Sequence, residues 1–213
     1  MSKSIIFTGA EPPKALPQDL YEPGDFVIAA DSGYDSARKL GFKVDLAIGD
    51  FDSTALFEEI KKIGFEQHDR DKDESDTCLA LQRATELTGN SYVLIGGGGG
   101  RLDHLFATYS LFDQFGPPLR WYTAKEICYL VSDCQRFDDL ESGMTVSFFP
   151  AKLTGSSMVQ ACQLRWPLQN YELSFNSISL SNRTTGKTLD VSTQGGDIFV
   201  SFPVADGGIK MIP

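Results

Sequence analysis

The chain has 213 residues, enough for one large domain or two compact ones, and its 41% hydrophobic and 23% charged content suits a globular protein with a sizeable core. Nineteen lysines and arginines against 29 acids give a formal charge of −10, which argues against gripping nucleic acid or an anionic membrane surface by electrostatics. The acid is concentrated: nine of 19 aspartates lie between Asp31 and Asp76, where acids outnumber bases 13 to 7.

Residues 1–7 contain too short an apolar run for a signal peptide and no small-residue cleavage pattern. No stretch approaches the roughly 18 apolar residues of a membrane-spanning helix. The short, nearly continuous apolar runs at 4–8, 26–30, 46–48, 92–95 and 119–122 read as strands covered on both faces, as in a parallel sheet. Between them, Ser53 is a candidate N-cap for a helix over 54–63, and Ser75 for one reaching about Leu87. A third helix, 101–115, gathers Leu102, Leu105, Phe106, Tyr109 and Phe112 on one face, expected to be core. Gly116-Pro117-Pro118 stops it.

From about residue 133 the helical periodicity disappears. Residues 145–149, 158–163, 177–180, 188–191 and 198–202 are β-prone runs separated by Gly, Asn, Ser and Pro, at spacings that suit a β-sandwich. The chain therefore reads as an α/β domain with a mostly parallel sheet, 1–132, followed by a small β-sandwich domain, 133–213. Four dispersed cysteines without a C-x-x-C point to a reduced, cytoplasmic protein. Two histidines without spaced ligand partners give no support for zinc.

Asp31 directly follows the run 26–30, and Gly49-Asp50-Phe51-Asp52-Ser53 follows 46–48, so these carboxylates sit at the carboxyl ends of parallel strands, where open α/β sheets bind ligands. Asp69-Arg70-Asp71-Lys72-Asp73-Glu74-Ser75-Asp76 leads into a helix. Asp76 alone reads equally as a partner of the helix dipole. Converging carboxylates repel one another unless a cation lies between them, and an all-oxygen donor set suits Mg2+. Between a strand and a helix, the glycine run 96–100 lets backbone N–H groups approach a phosphate, with Arg101 as a guanidinium clamp. The run fits neither a Walker A loop nor G-x-G-x-x-G. Asp103 falls in the first helical turn, and His104 is either packed or an acid–base group.

Ala30-Asp31-Ser32-Gly33, Gly49-Asp50-Phe51-Asp52-Ser53, Lys72-Asp73-Glu74-Ser75-Asp76 and Gly99-Gly100-Arg101-Leu102-Asp103-His104 occur in the order found in thiamine pyrophosphokinases. Leu164-Arg165-Trp166-Pro167-Leu168 and Leu180-Ser181-Asn182 resemble the carboxyl-terminal landmarks of that family, so the resemblance spans nearly the whole chain. It implies a Rossmann-like α/β domain, a β-sandwich domain and a homodimer that moves a diphosphoryl group from ATP to the hydroxyl of thiamine, yielding AMP and thiamine diphosphate. In that frame Asp50, Asp52 and Asp73 are the metal candidates, and Arg101 joins them as a catalytic candidate. Asp31, Asp76, Asp103 and His104 become substrate-binding candidates, with Trp166, Ser181 and Asn182 on the thiamine side. Trp166 would either stack on a ring or lie buried. Ser32, Tyr34, Gln163 and Arg183 depart from the family pattern. The same transfer to a hydroxymethylpterin, or a non-catalytic nucleotide- or thiamine-binding regulator, are the alternatives.

Overall fold

A computed structural model describes residues 2–204. The chain divides into two compact units, Met1–Lys125 and Glu126–Pro213. The first contains six strands, β1 (Ser4–Phe7), β2 (Phe26–Ala30), β3 (Leu46–Gly49), β4 (Gly64–Gln67), β5 (Tyr92–Ile95) and β6 (Arg120–Tyr122). They pair in parallel in the order β6-β5-β1-β2-β3-β4. Every residue of β1 and β5 is buried, which is why their sequences show no polar alternation. Burial of Ile5, Ile6, Phe7, Val93, Leu94 and Ile95 stabilises the sheet by roughly 1.5–3 kcal/mol for each large side chain. At the edge, β4 is mostly exposed, and it has no apolar run to announce it.

Four helices connect these strands: α1 (Gly33–Lys39), α2 (Phe57–Ile60), α3 (Asp76–Thr88) and α4 (Leu102–Phe115). The hydroxyl of Ser75 caps α3 by accepting the amide of Cys78 at 3.2 Å. The helix expected over 54–63 is shorter, because the Thr54 hydroxyl accepts from the Leu56 amide and forms a local turn instead. Ser53 is not its cap, since its hydroxyl donates to Asp52. Along α4 only part of the expected apolar face is core. Tyr109, Phe112 and Phe115 are buried and Phe112 meets Trp121 edge-on, whereas Leu102 and Phe106 are 65% and 53% exposed.

The described residues of the second unit are all β. Its strands are β7 (Glu126–Val131), β8 (Cys134–Phe137), β9 (Thr145–Pro150), β10 (Ser156–Ala161), β11 (Leu168–Ser174), β12 (Ser179–Arg183), β13 (Leu189–Gln194) and β14 (Ile198–Pro203). They make two antiparallel layers, β12-β9-β14-β7 and β11-β10-β13-β8. Inward residues alternate with outward ones along β9 and β10, and Phe137 of one layer packs against Tyr129 and Phe202 of the other. This is a β-sandwich. Residues 126–131, placed by their pattern with the α/β part, form β7, and its ladder with β14 puts it in the second unit. All four cysteines are free. Among the described residues no helix is long and apolar enough to cross a membrane.

Candidate functional site

In the first unit the chain steps from β1 outward through β2, β3 and β4, then returns to β1's other side with β5 and β6. The strand order therefore reverses at β1, and the carboxyl ends of β1, β2, β3 and β5 converge there. They deliver Gly9, Asp31, Asp50 and the glycine run to an open cavity of about 470 Å3. The crossing is tight. Gly96 has φ 94° and a Cβ there would lie 2.7 Å from the carbonyl oxygen of Thr8, while one on Gly98 would lie 2.1 Å from Cγ2 of Thr123. Only glycine lets β5 turn this close to its neighbours.

Three carboxylates meet in this cavity. Asp31, Asp50 and Asp76 each place an oxygen within 4.8 Å of the others. Asp31 holds a left-handed backbone, φ 45°, which its amide stabilises by donating to the Ile48 carbonyl at 2.8 Å. One of its carboxylate oxygens, Oδ1, is buried and accepts no hydrogen bond among the described residues. Burial pushes the Asp31 pKa up; the Ser32 amide opposes this, and the charges of Asp76, Asp50 and Asp52 add to it. Asp76 opens α3, and its Oδ1 lies 3.0 Å from the Lys72 ammonium without hydrogen-bond alignment. The donor set is hard oxygen, it is short of cations, and it fits Mg2+.

The remaining candidates are distributed differently from the expectation. Asp52 lies outside the three-carboxylate group: it accepts from Ser53 at 2.7 Å and pairs with Arg70 at 3.3 Å. Its backbone amide caps Asp50 Oδ1 at 3.1 Å, so the two side chains of Asp50-Phe51-Asp52 do not point together as an extended chain would place them. The reason is Phe51, whose φ of 60° breaks the extension while its ring stacks on Phe57. Asp73 is exposed in the loop before the Ser75 cap and does not line the cavity. Arg101 and His104 do line it. Arg101 is held by Asp103 through two bonds, 3.1 and 2.5 Å long, and this partner holds the Asp103 pKa below the usual carboxylate range.

The sequence pattern missed Lys72, Arg70 and Gly9. Gly9 follows β1 just as Asp31 follows β2, so the strand-end rule could have found it. Lys72 and Arg70 were hidden among the acids of 69–76. No side chain caps α4, so its first N–H groups are open to an anion.

In the second unit Trp166 is 55% exposed, and the Arg165 guanidinium lies over its ring at 4.9 Å. Ser181 is exposed, with φ 53°, at an irregularity in the β12–β9 ladder. Asn182 is 2% exposed. Its Nδ2 donates to the Trp166 carbonyl at 2.7 Å and its Oδ1 accepts the Trp166 amide at 3.2 Å. It fixes the backbone of Trp166 and does not face solvent.

Residues 17–116 match the family model described as thiamin pyrophosphokinase, catalytic domain. Among solved structures, a thiamin pyrophosphokinase family protein from Enterococcus faecalis superposes with a TM-score of 0.73 at 20% identity, covering 96% of this chain and 99% of that one. Thiamine pyrophosphokinase from Bacillus subtilis gives 0.72 at 21%, covering 94% and 99%. Yeast thiamin pyrophosphokinase gives 0.66 at 15%, covering 96% and 87%. No curated protein matches the sequence.

Proposed function

We propose that this chain, whose residues 17–116 match the thiamin pyrophosphokinase catalytic domain, is a thiamine diphosphokinase that uses ATP as donor and Mg2+ as cofactor. In this reading the hydroxyethyl oxygen of thiamine attacks the β-phosphorus of ATP. The bond from that phosphorus to the oxygen bridging it to the α-phosphorus breaks, the hydroxyl proton is lost, and AMP leaves. The observation that carries the proposal is the meeting of Asp31, Asp50 and Asp76 beside the glycine run.

Those three carboxylates are the residues that would hold Mg2+. When bound, the ion neutralises phosphate charge and polarises the transferred group. The chain supplies the rest. Backbone N–H groups of the glycine run and of the α4 start orient the phosphates, with Lys72 and Arg101 as cations on the cavity wall. Arg101 exchanges Asp103 for a phosphate oxygen, which frees the Asp103 carboxylate to meet the cationic thiamine. His104 faces the same cavity as a substrate contact. Asp52 is assigned to holding Arg70, and Asp73 to the solvated rim. Trp166 and Ser181 form the thiamine side, and Asn182 positions Trp166 from beneath.

A homodimer belongs to the same proposal, supported by the exposed apolar pair Leu102 and Phe106 on α4, which a second copy would cover. Phe106→Glu should then lower the mass seen by light scattering from two chains to one. A cytoplasmic site is consistent with the four free thiols.

Incubation with ATP, Mg2+ and thiamine tests the reaction. AMP with thiamine diphosphate is the expected product pair; ADP with thiamine monophosphate would overturn diphosphoryl transfer.

A further inference from the structure

The arginines of this acidic chain mostly face carboxylates. Arg38, Arg70, Arg83, Arg101 and Arg136 each lie within 3.4 Å of one. Arg165 and Arg183 face none among the described residues, although they are neighbours: the amide of Arg165 donates to the carbonyl of Arg183 at 2.8 Å, beside the Leu164–Thr184 bridge. They share an open cavity of about 540 Å3 whose other walls are Ser142, Gly143, Thr184 and Thr185, with no acid among them.

Both guanidiniums keep N–H donors unused among the described residues. Arg183 spends Nη1 on the Gly143 carbonyl at 3.1 Å and the Thr145 hydroxyl at 2.6 Å, leaving Nε and Nη2 unpartnered among the described residues. The Arg165 guanidinium lies over the Trp166 ring at 4.9 Å, a contact that uses none of its N–H donors. Thr184 is buried, its hydroxyl donating to the Glu141 carbonyl at 2.6 Å and so bracing the wall. Two neighbouring cations repel each other unless an anion separates them. Guanidiniums with unused N–H donors match oxyanions bearing several oxygens, because each can offer a planar fork. A dianion balances both charges.

We propose that the second unit carries a binding site for a phosphate-class oxyanion, formed by Arg165 and Arg183 over the Gly143–Thr185 wall. Its lining residues all belong to the second unit, and it needs neither Mg2+ nor turnover. The ligand is a phosphate or diphosphate group, free or attached to a small molecule.

The test uses the full 15N-labelled chain in Mg2+-free buffer, titrated with inorganic diphosphate and separately with thiamine diphosphate. Saturable amide shifts at Gly143, Thr184 and Thr185 support the site, provided Arg165→Gln weakens them at least about tenfold, the loss expected for one charge-assisted bond. Arg183→Lys is the second variant; it keeps the charge and loses the fork, and it should weaken binding less than Arg165→Gln does. Similar affinity for both ligands assigns recognition to the free anion, and tenfold tighter binding of thiamine diphosphate assigns it to a carried one. Shifts confined to residues 97–100, no shifts at all, or unchanged affinity in both folded variants would overturn the proposal. Failure here would leave the diphosphokinase reading untouched, because ATP turnover is not measured.

Discussion

Strands β2 and β3 are each bracketed by aspartates, and the two ends of the pair behave in opposite ways. At the amino end, Asp25 accepts from the Lys3 amide and ammonium at 2.9 and 2.5 Å and from the Glu22 amide at 2.9 Å. Asp45 accepts from the Val27 amide at 3.0 Å. At the carboxyl end, Asp31 and Asp50 face each other and Asp76, with a buried Asp31 oxygen left without a hydrogen bond. One residue type therefore does two jobs in one sheet. The amino edge uses carboxylates to tie strands together, and the carboxyl edge leaves acceptor capacity unused, at a cost in stability.

The strongest way to break this contrast is to neutralise the carboxyl edge. Asp50→Asn should lower kcat about 100-fold or more at saturating Mg2+, the scale at which one electrostatic partner of a transition state counts. Steady-state AMP formation measures it. Turnover within threefold of wild type would mean the three carboxylates are only a solvated rim.

At the amino edge the same kind of change should act on folding. Burial raises the Asp25 pKa, but the Lys3 side-chain bond, the Lys3 and Glu22 amides and the Lys3 charge outweigh it, so the net shift is downward. A carboxylate with a depressed folded pKa contributes stability above its unfolded value and loses it as pH falls through the folded one. Asp25→Ala, which strands the Lys3 ammonium beside a side chain that was 1% exposed, should cost about 3 kcal/mol in denaturant unfolding. The variant should also lose part of the wild type's stability decline below about pH 4. Normal turnover at 25 °C would accompany both.

Arg101→Ala comes next. Its exposed pair with Asp103 contributes little to folding, so unfolding should be unchanged while KM for ATP rises roughly tenfold, as expected for one charge-assisted phosphate contact. A rise in KM for thiamine alone would instead place Arg101 on the acceptor side.

Which end of the strands gathers carboxylates was legible in the sequence, because continuous apolar runs predict parallel strands and aspartates directly follow two of them. Membership of the carboxylate group was not. Asp50-Phe51-Asp52 looks like an extended pair, and only the positive φ of Phe51, set by its packing on Phe57, turns Asp52 toward Arg70. Asp76, which reads equally as a helix-capping residue, proves to face Asp31 because α3 starts over the ends of β2 and β3. Asn182 illustrates the reverse: a polar residue in a recognisable motif that the fold buries against backbone. β4 and α1 were invisible since neither carries an apolar run or a side-chain cap. Local pattern reports which side chains need burial, and tertiary pairing decides which polar ones are left facing each other.

The smallest expected effect is the most specific to the contrast. Burial and the surrounding carboxylates raise the folded pKa of Asp31, so between the ordinary carboxylate value and that raised one the native state binds more protons, and stability falls as pH rises. Above it, the ionised group is a standing penalty in metal-free protein. Asp31→Asn removes that penalty, and asparagine tolerates the left-handed backbone at this position. The metal-free variant should therefore melt slightly higher than wild type at pH 7, by no more than about 2 °C once solvent screening of this partly exposed group is allowed for, and added Mg2+ should raise its melting temperature less than it raises that of wild type. Asp25→Ala must move the melting temperature the other way. A loss of stability in Asp31→Asn equal to that in Asp25→Ala would show that the two ends of β2 are alike, and that Asp31 is a structural tie after all.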